Sequence, residues 1–317
     1  MRAHALLNRI LVIRGGAIGD FVLTLPAIKL LRDHFSCAHL EILGYKHIIA
    51  LAEKRFYADV TRSIEYAGLA KFFAKEATLS RELMDYFGSF DLIVGYLFDP
   101  DKIFENNVRR CGIKNFIAGP AQLGHHEHAS RQLARPLEKL DLRLEDPGAR
   151  IYPSATDREV AQQILHGRCA NAVVIHPGSG SETKNWPIEK WHELGEYFLA
   201  RDSDIFVVTG EADEDRAASL QGEWKQKSVR FVKNLPLPQL AALFEDSIFI
   251  GHDSGISHIA AAVGARCLLL FGPTDPAVWA PTGTNVTVVR APSGRLASLR
   301  VEEVIAGYEL IRIGINT

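Results

Sequence analysis

The chain has 317 residues, of which 47% are apolar and 23% charged, a make-up that excludes general disorder and fits a folded globular protein. Its 36 basic and 38 acidic residues leave a formal net charge of -2, so no global positive field draws it onto nucleic acid. No apolar run reaches the ~18 residues that span a bilayer, the N-terminus does not read as a signal peptide, and Cys37, Cys111, Cys169 and Cys267 contain no CxxC pair, which excludes a zinc ribbon or dithiol motif and fits reduced thiols in a cytosol.

Ile10-Leu11-Val12-Ile13 reads as a short buried strand. It ends in Arg14-Gly15-Gly16-Ala17-Ile18-Gly19-Asp20, and a helical stretch follows from Phe21 to Leu31. His39–Gly44 and Phe90–Gly95 read as further strands, with a helix starting at Ile48. Strands alternating with helices imply parallel βαβ units. The stretch 141–157 is polar and rich in breakers, and reads as a linker. The alternation then restarts, with strands at 172–175, 204–209, 247–250 and 267–271 and helices at 191–200, 213–220 and 257–263. Two doubly wound halves follow, residues 1–150 and 151–317. Ligands in such sheets sit beyond the carboxyl ends of the strands, so a cleft between the halves is the expected site.

Four strand ends carry unusual chemistry. The first, Gly15-Gly16-Ala17-Ile18-Gly19-Asp20, lets backbone approach a ligand closely. It does not fit GxGxxG, and Glu41 falls inside its strand rather than at the end, so a dinucleotide site is disfavoured. Asp20 reads equally as a helix cap or as a catalytic carboxylate. The second is His176-Pro177-Gly178-Ser179-Gly180-Ser181-Glu182-Thr183-Lys184-Asn185-Trp186-Pro187. Its small residues offer amides and hydroxyls to an anion, and Lys184 adds a point charge; the bland alternative is a solvated surface loop. The third is Thr209-Gly210-Glu211, whose acid is placed either to accept from ribose hydroxyls or to favour a helix start. The fourth is Gly251-His252-Asp253-Ser254-Gly255-Ile256-Ser257-His258. Its spacing rejects a GxSxG nucleophile elbow, while amides at Ser254 and Gly255 suit a phosphate and Asp253 a sugar hydroxyl. His258 faces either the ligand or the core.

These motifs together resemble glycosyltransferase family 9. The matching residues are Gly19-Asp20 with Leu23-Thr24-Leu25-Pro26-Ala27, Lys184 with Trp186-Pro187, Asp253-Ser254-Gly255 with Ser257-His258, and Phe271-Gly272-Pro273-Thr274-Asp275-Pro276. The resemblance implies the GT-B fold, two Rossmann-like domains facing a cleft, with the last helix from Val301 returning to the first domain. It implies an inverting transfer of heptose from ADP-heptose to a lipopolysaccharide core acceptor, with no cofactor and no metal. Asp20 would be the general base. Ser179, Gly180, Lys184, Ser254 and Gly255 would hold the diphosphate, Asp253 the donor sugar, Glu211 the ribose, and the backbone near Leu235 the base, with His258 also at the donor site. Where members often carry two adjacent threonines, this chain has Ser179-Gly180, so phosphate contact there falls to amides.

The acceptor side rests on Gly16 and on a basic stretch holding Lys102, Arg109, Arg110, Lys114, Arg131 and Arg135 against Glu105 and Glu127. It suits an anionic glycolipid, or is a solvated face. His125-His126-Glu127-His128 lacks further ligand spacing for a metal. The expected enzyme is cytoplasmic, with peripheral contact at the inner membrane. The alternatives are transfer of another nucleoside-diphosphate sugar to a protein or other glycan, a GT-B-like nucleotide-sugar epimerase, and a non-catalytic sugar-nucleotide binder.

Overall fold

The computed structural model describes residues 7–166, 172–210, 214–224 and 229–314. The chain divides into two compact units, Met1–Pro147 and Gly148–Thr317, with the division inside the breaker-rich stretch. In the first unit the order is β1 (Arg9–Arg14), α1 (Ile18–His34), β2 (His39–Gly44), α2 (Lys46–Ile49), β3 (Val60–Ser63), α3 (Arg81–Gly88), β4 (Leu92–Tyr96), α4 (Ile103–Arg109), β5 (Asn115–Ala118) and α5 (Ala129–Ala134). The five strands form a sheet in the order β3-β2-β1-β4-β5, with every pairing parallel.

The second unit holds α6 (Ala155–Leu165), β6 (Val173–His176), α7 (Ile188–Leu199), β7 (Ile205–Thr209), α8 (Glu214–Glu223), β8 (Val229–Lys233), α9 (Leu237–Phe244), β9 (Ile248–His252), α10 (Gly255–Ala262), β10 (Arg266–Phe271), α11 (Pro276–Trp279), β11 (Val286–Arg290) and α12 (Val301–Arg312). Its six-stranded parallel sheet runs β11-β10-β9-β6-β7-β8. In both sheets the strand order reverses beside the first strand of the unit. That places a switch point between β1 and β4, and another between β6 and β9, the positions where such sheets take ligands.

Helices cover both faces of a parallel sheet, so its central strands are buried on both sides and read as continuous apolar runs. Ile10, Leu11, Val12 and Ile13 of β1 are all 0% exposed. Four strands that the sequence pattern did not announce, β3, β5, β8 and β11, are the four sheet edges. Their sequences mix polar and apolar residues because one flank faces solvent.

α1 starts at Ile18, three residues before the expected helix, and tolerates Pro26 in its interior. Pro187 is the N-cap of α7 and not its first turn. The second core packs Trp186, Trp191, Trp224 and Phe198 around the sheet. A Cβ on Gly195 would stand 2.0 Å from the Trp224 ring, so only glycine lets that ring lie against α7. Val304, Tyr308 and Ile311 of α12 join the same core, and the helix packs on β10, β11 and α7.

Candidate active site

In the first unit the turn after β1 is built around one buried cation. Arg14 ends β1 with its side chain 9% exposed. Its Nε donates to Thr24 Oγ1 at 2.9 Å and to the Asp20 carbonyl at 3.3 Å, and Nη1 to the Tyr96 carbonyl at 3.4 Å. Burial pulls its pKa below the ordinary arginine value, opposed by the charges of Asp20 and Tyr96. Thr24 donates in turn to the Asp20 carbonyl at 2.7 Å, which gives the buried threonine of the Leu23-Thr24-Leu25-Pro26 segment a physical role.

Asp20 sits one turn into α1. Its Oδ2 accepts from the Ala17 amide at 2.9 Å, and its Oδ1 lies 3.4 Å from Arg14 Nη2. It is therefore not the N-cap residue, which is Ala17; it closes the cap from inside, where a carboxylate also meets the positive end of the helix. Each oxygen carries one protein donor and keeps lone pairs for a ligand. Gly16 has φ +92, and a Cβ there would stand 2.6 Å from Asp20 Oδ2. Two constraints thus require glycine at 16: the left-handed backbone and the approach of the carboxylate.

A pocket of about 260 Å³ opens at the carboxyl ends of β4 and β5, lined among others by Leu97, Phe98, Lys102, Phe116 and Gln122. One of its wall residues also packs near the β1 turn, since a Cβ on Gly15 would lie 3.4 Å from Leu97 Cδ2. Glu41, the acid nearest to a dinucleotide spacing, is 1% exposed inside β2. It accepts from Arg62 at 2.7 Å and from the Tyr86 hydroxyl at 2.5 Å. Desolvation and this carboxylate push the Tyr86 phenol far above its usual pKa. Glu41 thus belongs to the core.

The basic stretch does not gather at this turn. α4 runs back from the carboxyl edge of the sheet, so Lys102 stays at that edge while Arg109 and Arg110 lie at the opposite one. Arg109 pairs with Glu105 at 2.7 Å and sits beside Phe116, and Arg110 donates to the Ala77 carbonyl and to Asn107. Arg131 ties down the carbonyls of Leu144 and Glu145 at 3.0 Å each, and Arg135 pairs with Glu127. These arginines hold loops and helix ends in place, and sequence proximity alone grouped them with Gly16. His128 caps α5 through Nδ1, 3.2 Å from the Ser130 amide, while His125 and His126 are exposed. Among the described residues no group of three or more His, Cys, Asp or Glu gathers as for a metal ion.

In the second unit three neighbouring strand ends converge on one carboxylate. Asp253 follows β9 with its side chain 10% exposed. Its Oδ2 accepts from Lys184 Nζ at 2.7 Å, from the loop after β6, and from Thr274 Oγ1 at 2.8 Å, from the turn after β10. Lys184 and Asp253 were expected at the site as separate ligand contacts; the structure joins them. Thr274 lies in the Phe271–Pro276 motif, but nothing in its spacing assigns it a partner.

The Lys184 loop is pinned at both ends. Buried His252 accepts from the Trp186 amide at 2.9 Å through Nε2, and its Nδ1 lies 3.4 Å from the Gly178 carbonyl. Arg216 donates to the Trp186 carbonyl at 3.2 Å and pairs with Glu182 at 3.1 Å. Ser179 Oγ turns inward and donates to the Ser181 carbonyl at 2.9 Å, while the space around Gly180 is open. Ser254 is the N-cap of α10 and accepts from the Ser257 amide at 3.4 Å. That leaves the helix-start amide of Gly255 without an intrahelical acceptor. His258 is 5% exposed, buried in α10. Leu235 is half-buried just past β8, beside Asn234, whose amide donates to the Thr209 carbonyl at 3.1 Å. Glu211 lies outside the described residues.

Two parallel α/β units with such strand-end sites match a known group of enzymes. The model of glycosyltransferase family 9 (heptosyltransferase) matches residues 120–308. The chain belongs to glycosyltransferase family 9. It is 26% identical over 297 residues to lipopolysaccharide heptosyltransferase 3 of Escherichia coli, a match covering 84% of each chain. Among solved structures, E. coli ADP-heptose lps heptosyltransferase II superposes with a TM-score of 0.79 at 15% identity, over 96% of this chain and 98% of that one. E. coli heptosyltransferase WaaC with ADP-2-deoxy-2-fluoro heptose gives 0.68 at 19% identity, over 95% and 99%. The fold is that of the GT-B heptosyltransferases, and the family 9 chain is a glycosyltransferase; the epimerase and the non-catalytic binder are set aside.

Proposed function

We propose that the chain transfers heptose from ADP-heptose to a lipopolysaccharide core acceptor, with inversion at the anomeric carbon. The observation that carries the donor assignment is the strand order of the second sheet. Read from one edge it runs β8, β7, β6, β9, β10, and the assigned contacts follow the parts of a nucleotide sugar in the same order. Leu235 after β8 takes the adenine, the Glu211 turn after β7 the ribose, Lys184 after β6 the diphosphate, and Asp253 after β9 the sugar. At about 4.8 Å between strands, the three spacings from β8 to β9 give about 14 Å, the order of length of a nucleotide sugar. The Ser254 and Gly255 amides at the start of α10 complete the phosphate cradle. A relative solved with ADP-2-deoxy-2-fluoro heptose supports the same donor.

In the reaction Asp20 takes the proton of the acceptor hydroxyl. The hydroxyl oxygen bonds to the anomeric carbon as the bond to the diphosphate breaks, and ADP leaves. Lys184 and the helix-start amides stabilise the charge that develops on the leaving diphosphate. One carboxylate suffices for this single displacement. For the acceptor, Gly16 allows close approach, and the pocket at the carboxyl ends of β4 and β5 offers Phe98 as a sugar-stacking face and Lys102 as the cation for an anionic group. Lys102 replaces Arg109, Arg110 and Arg131 in that role because it stands at the same sheet edge as Asp20. Among the described residues no helix is long and apolar enough to cross a membrane, so contact with a membrane-borne acceptor is proposed to be peripheral, from the cytoplasm.

The donor assignment is tested by thermal shift with ADP, UDP and GDP. ADP at 100 times its dissociation constant should add about 2.7 kcal/mol of stability. Stronger stabilisation by UDP or GDP would overturn the adenine assignment.

A further inference from the structure

Thr274 belongs to Phe271-Gly272-Pro273-Thr274-Asp275-Pro276, a segment whose chemistry the donor assignments leave unused. Most of the segment has a local structural task. Asp275 caps α11 through the Ala277 amide at 3.1 Å, and Pro276 opens that helix. A Cβ on Gly272 would meet Leu296 Cγ at 3.0 Å. Thr274, in the turn before α11, instead directs its hydroxyl to a carboxylate 21 residues back in the chain.

The geometry of that contact is asymmetric. Lys184 Nζ and Thr274 Oγ1 both donate to Oδ2 of Asp253, at 2.7 and 2.8 Å. Among the described residues no donor reaches Oδ1. Two donors on one oxygen, arriving from the strand ends on either side, fix both the position and the rotation of the carboxylate. The oxygen that remains is the one presented to a ligand hydroxyl. Lysine alone would not achieve this, since an ammonium on a flexible stem follows the carboxylate through rotation.

We propose that Thr274 is a positioning residue for Asp253. It holds Oδ2 so that Oδ1 accepts from a hydroxyl of the donor sugar, and it frees Lys184 to turn toward the diphosphate without releasing the carboxylate. This rests on the donor reading above. It makes Thr274 a determinant of the sugar and not of the nucleotide, because the hydroxyl it serves lies beyond the phosphates.

Thr274→Val keeps the side-chain shape and removes the donor, whereas Thr274→Ser keeps the donor. With ADP-heptose as the probe, Thr274→Val should raise the donor KM about tenfold with kcat within about twofold, since a ground-state contact is lost. ADP alone should bind wild type and Thr274→Val within about twofold in calorimetry. Thr274→Ser should restore the donor KM to within about threefold of wild type. An unchanged donor KM in a folded Thr274→Val protein would overturn the proposal, and so would equal losses for ADP and ADP-heptose, which would make Thr274 a support of the phosphate loop. Failure of Thr274→Ser to rescue would assign the effect to packing and overturn it as well. Wild-type protein that binds neither ADP nor ADP-heptose would instead overturn the donor reading on which this rests.

Discussion

Asp20→Asn should lower turnover by about 10²–10⁴-fold, the usual worth of a general base, while ADP affinity stays within about twofold of wild type. The substitution separates the two roles that Asp20 combines. Its structural role is the bond accepted from the Ala17 amide at 2.9 Å, which an asparagine carbonyl can also accept. Its contact with Arg14 Nη2 at 3.4 Å weakens when the charge goes, but Arg14 retains Thr24 and two carbonyls as acceptors. The fold should therefore persist, and a small loss of thermal stability is expected. The chemical role does not survive, because an amide cannot take a proton at neutral pH. Single-turnover assays with saturating donor isolate the step. Near-normal turnover in folded Asp20→Asn would return the residue to its capping role and move the base elsewhere.

Lys184→Ala should raise the dissociation constant for ADP by about 10–100-fold, the range that corresponds to losing one hydrogen bond to a charged group. The loss is compounded by what the lysine leaves behind. Asp253, 10% exposed, keeps Thr274 but no cation, so its charge then repels the diphosphate. Adding Asp253→Asn to Lys184→Ala should accordingly recover part of the ADP affinity, although Asp253→Asn alone should impair use of the sugar donor. Titration calorimetry of the single and double variants decides the matter. Unchanged ADP affinity in Lys184→Ala would remove the lysine from the phosphate site.

How much of this was legible in the sequence follows from burial. The inner strands announce themselves because both faces are covered: Val173, Val174 and Ile175 in β6, and Cys267 through Phe271 in β10, are at most 1% exposed. The four edge strands do not, because a half-solvated strand such as Val60-Thr61-Arg62-Ser63 carries no unbroken apolar run. The strand-end residues were legible for a related reason. Small residues, carboxylates and a lysine after buried runs mark Asp20, Lys184 and Asp253 as candidates, although each also admits a structural reading, as the bond of Asp20 to the Ala17 amide shows. Which of them touch was not legible: Lys184 and Asp253 are 69 residues apart, and only the adjacency of β6 and β9 brings them together. The same holds for Arg14, whose burial depends on Tyr96 of β4. The basic stretch shows the opposite error. Charges close in sequence seem to form one patch, yet α4 carries Arg109 and Arg110 to the far edge of the sheet, where Glu105 and backbone carbonyls engage them.

Mass spectrometry of a heptose-deficient lipopolysaccharide core incubated with the protein and ADP-heptose tests the transfer of heptose to a lipopolysaccharide acceptor. The acceptor should gain the mass of a heptose unit, ADP should appear in equal amount, and both changes should be lost with Asp20→Asn. Consumption of ADP-heptose with the acceptor mass unchanged would contradict it.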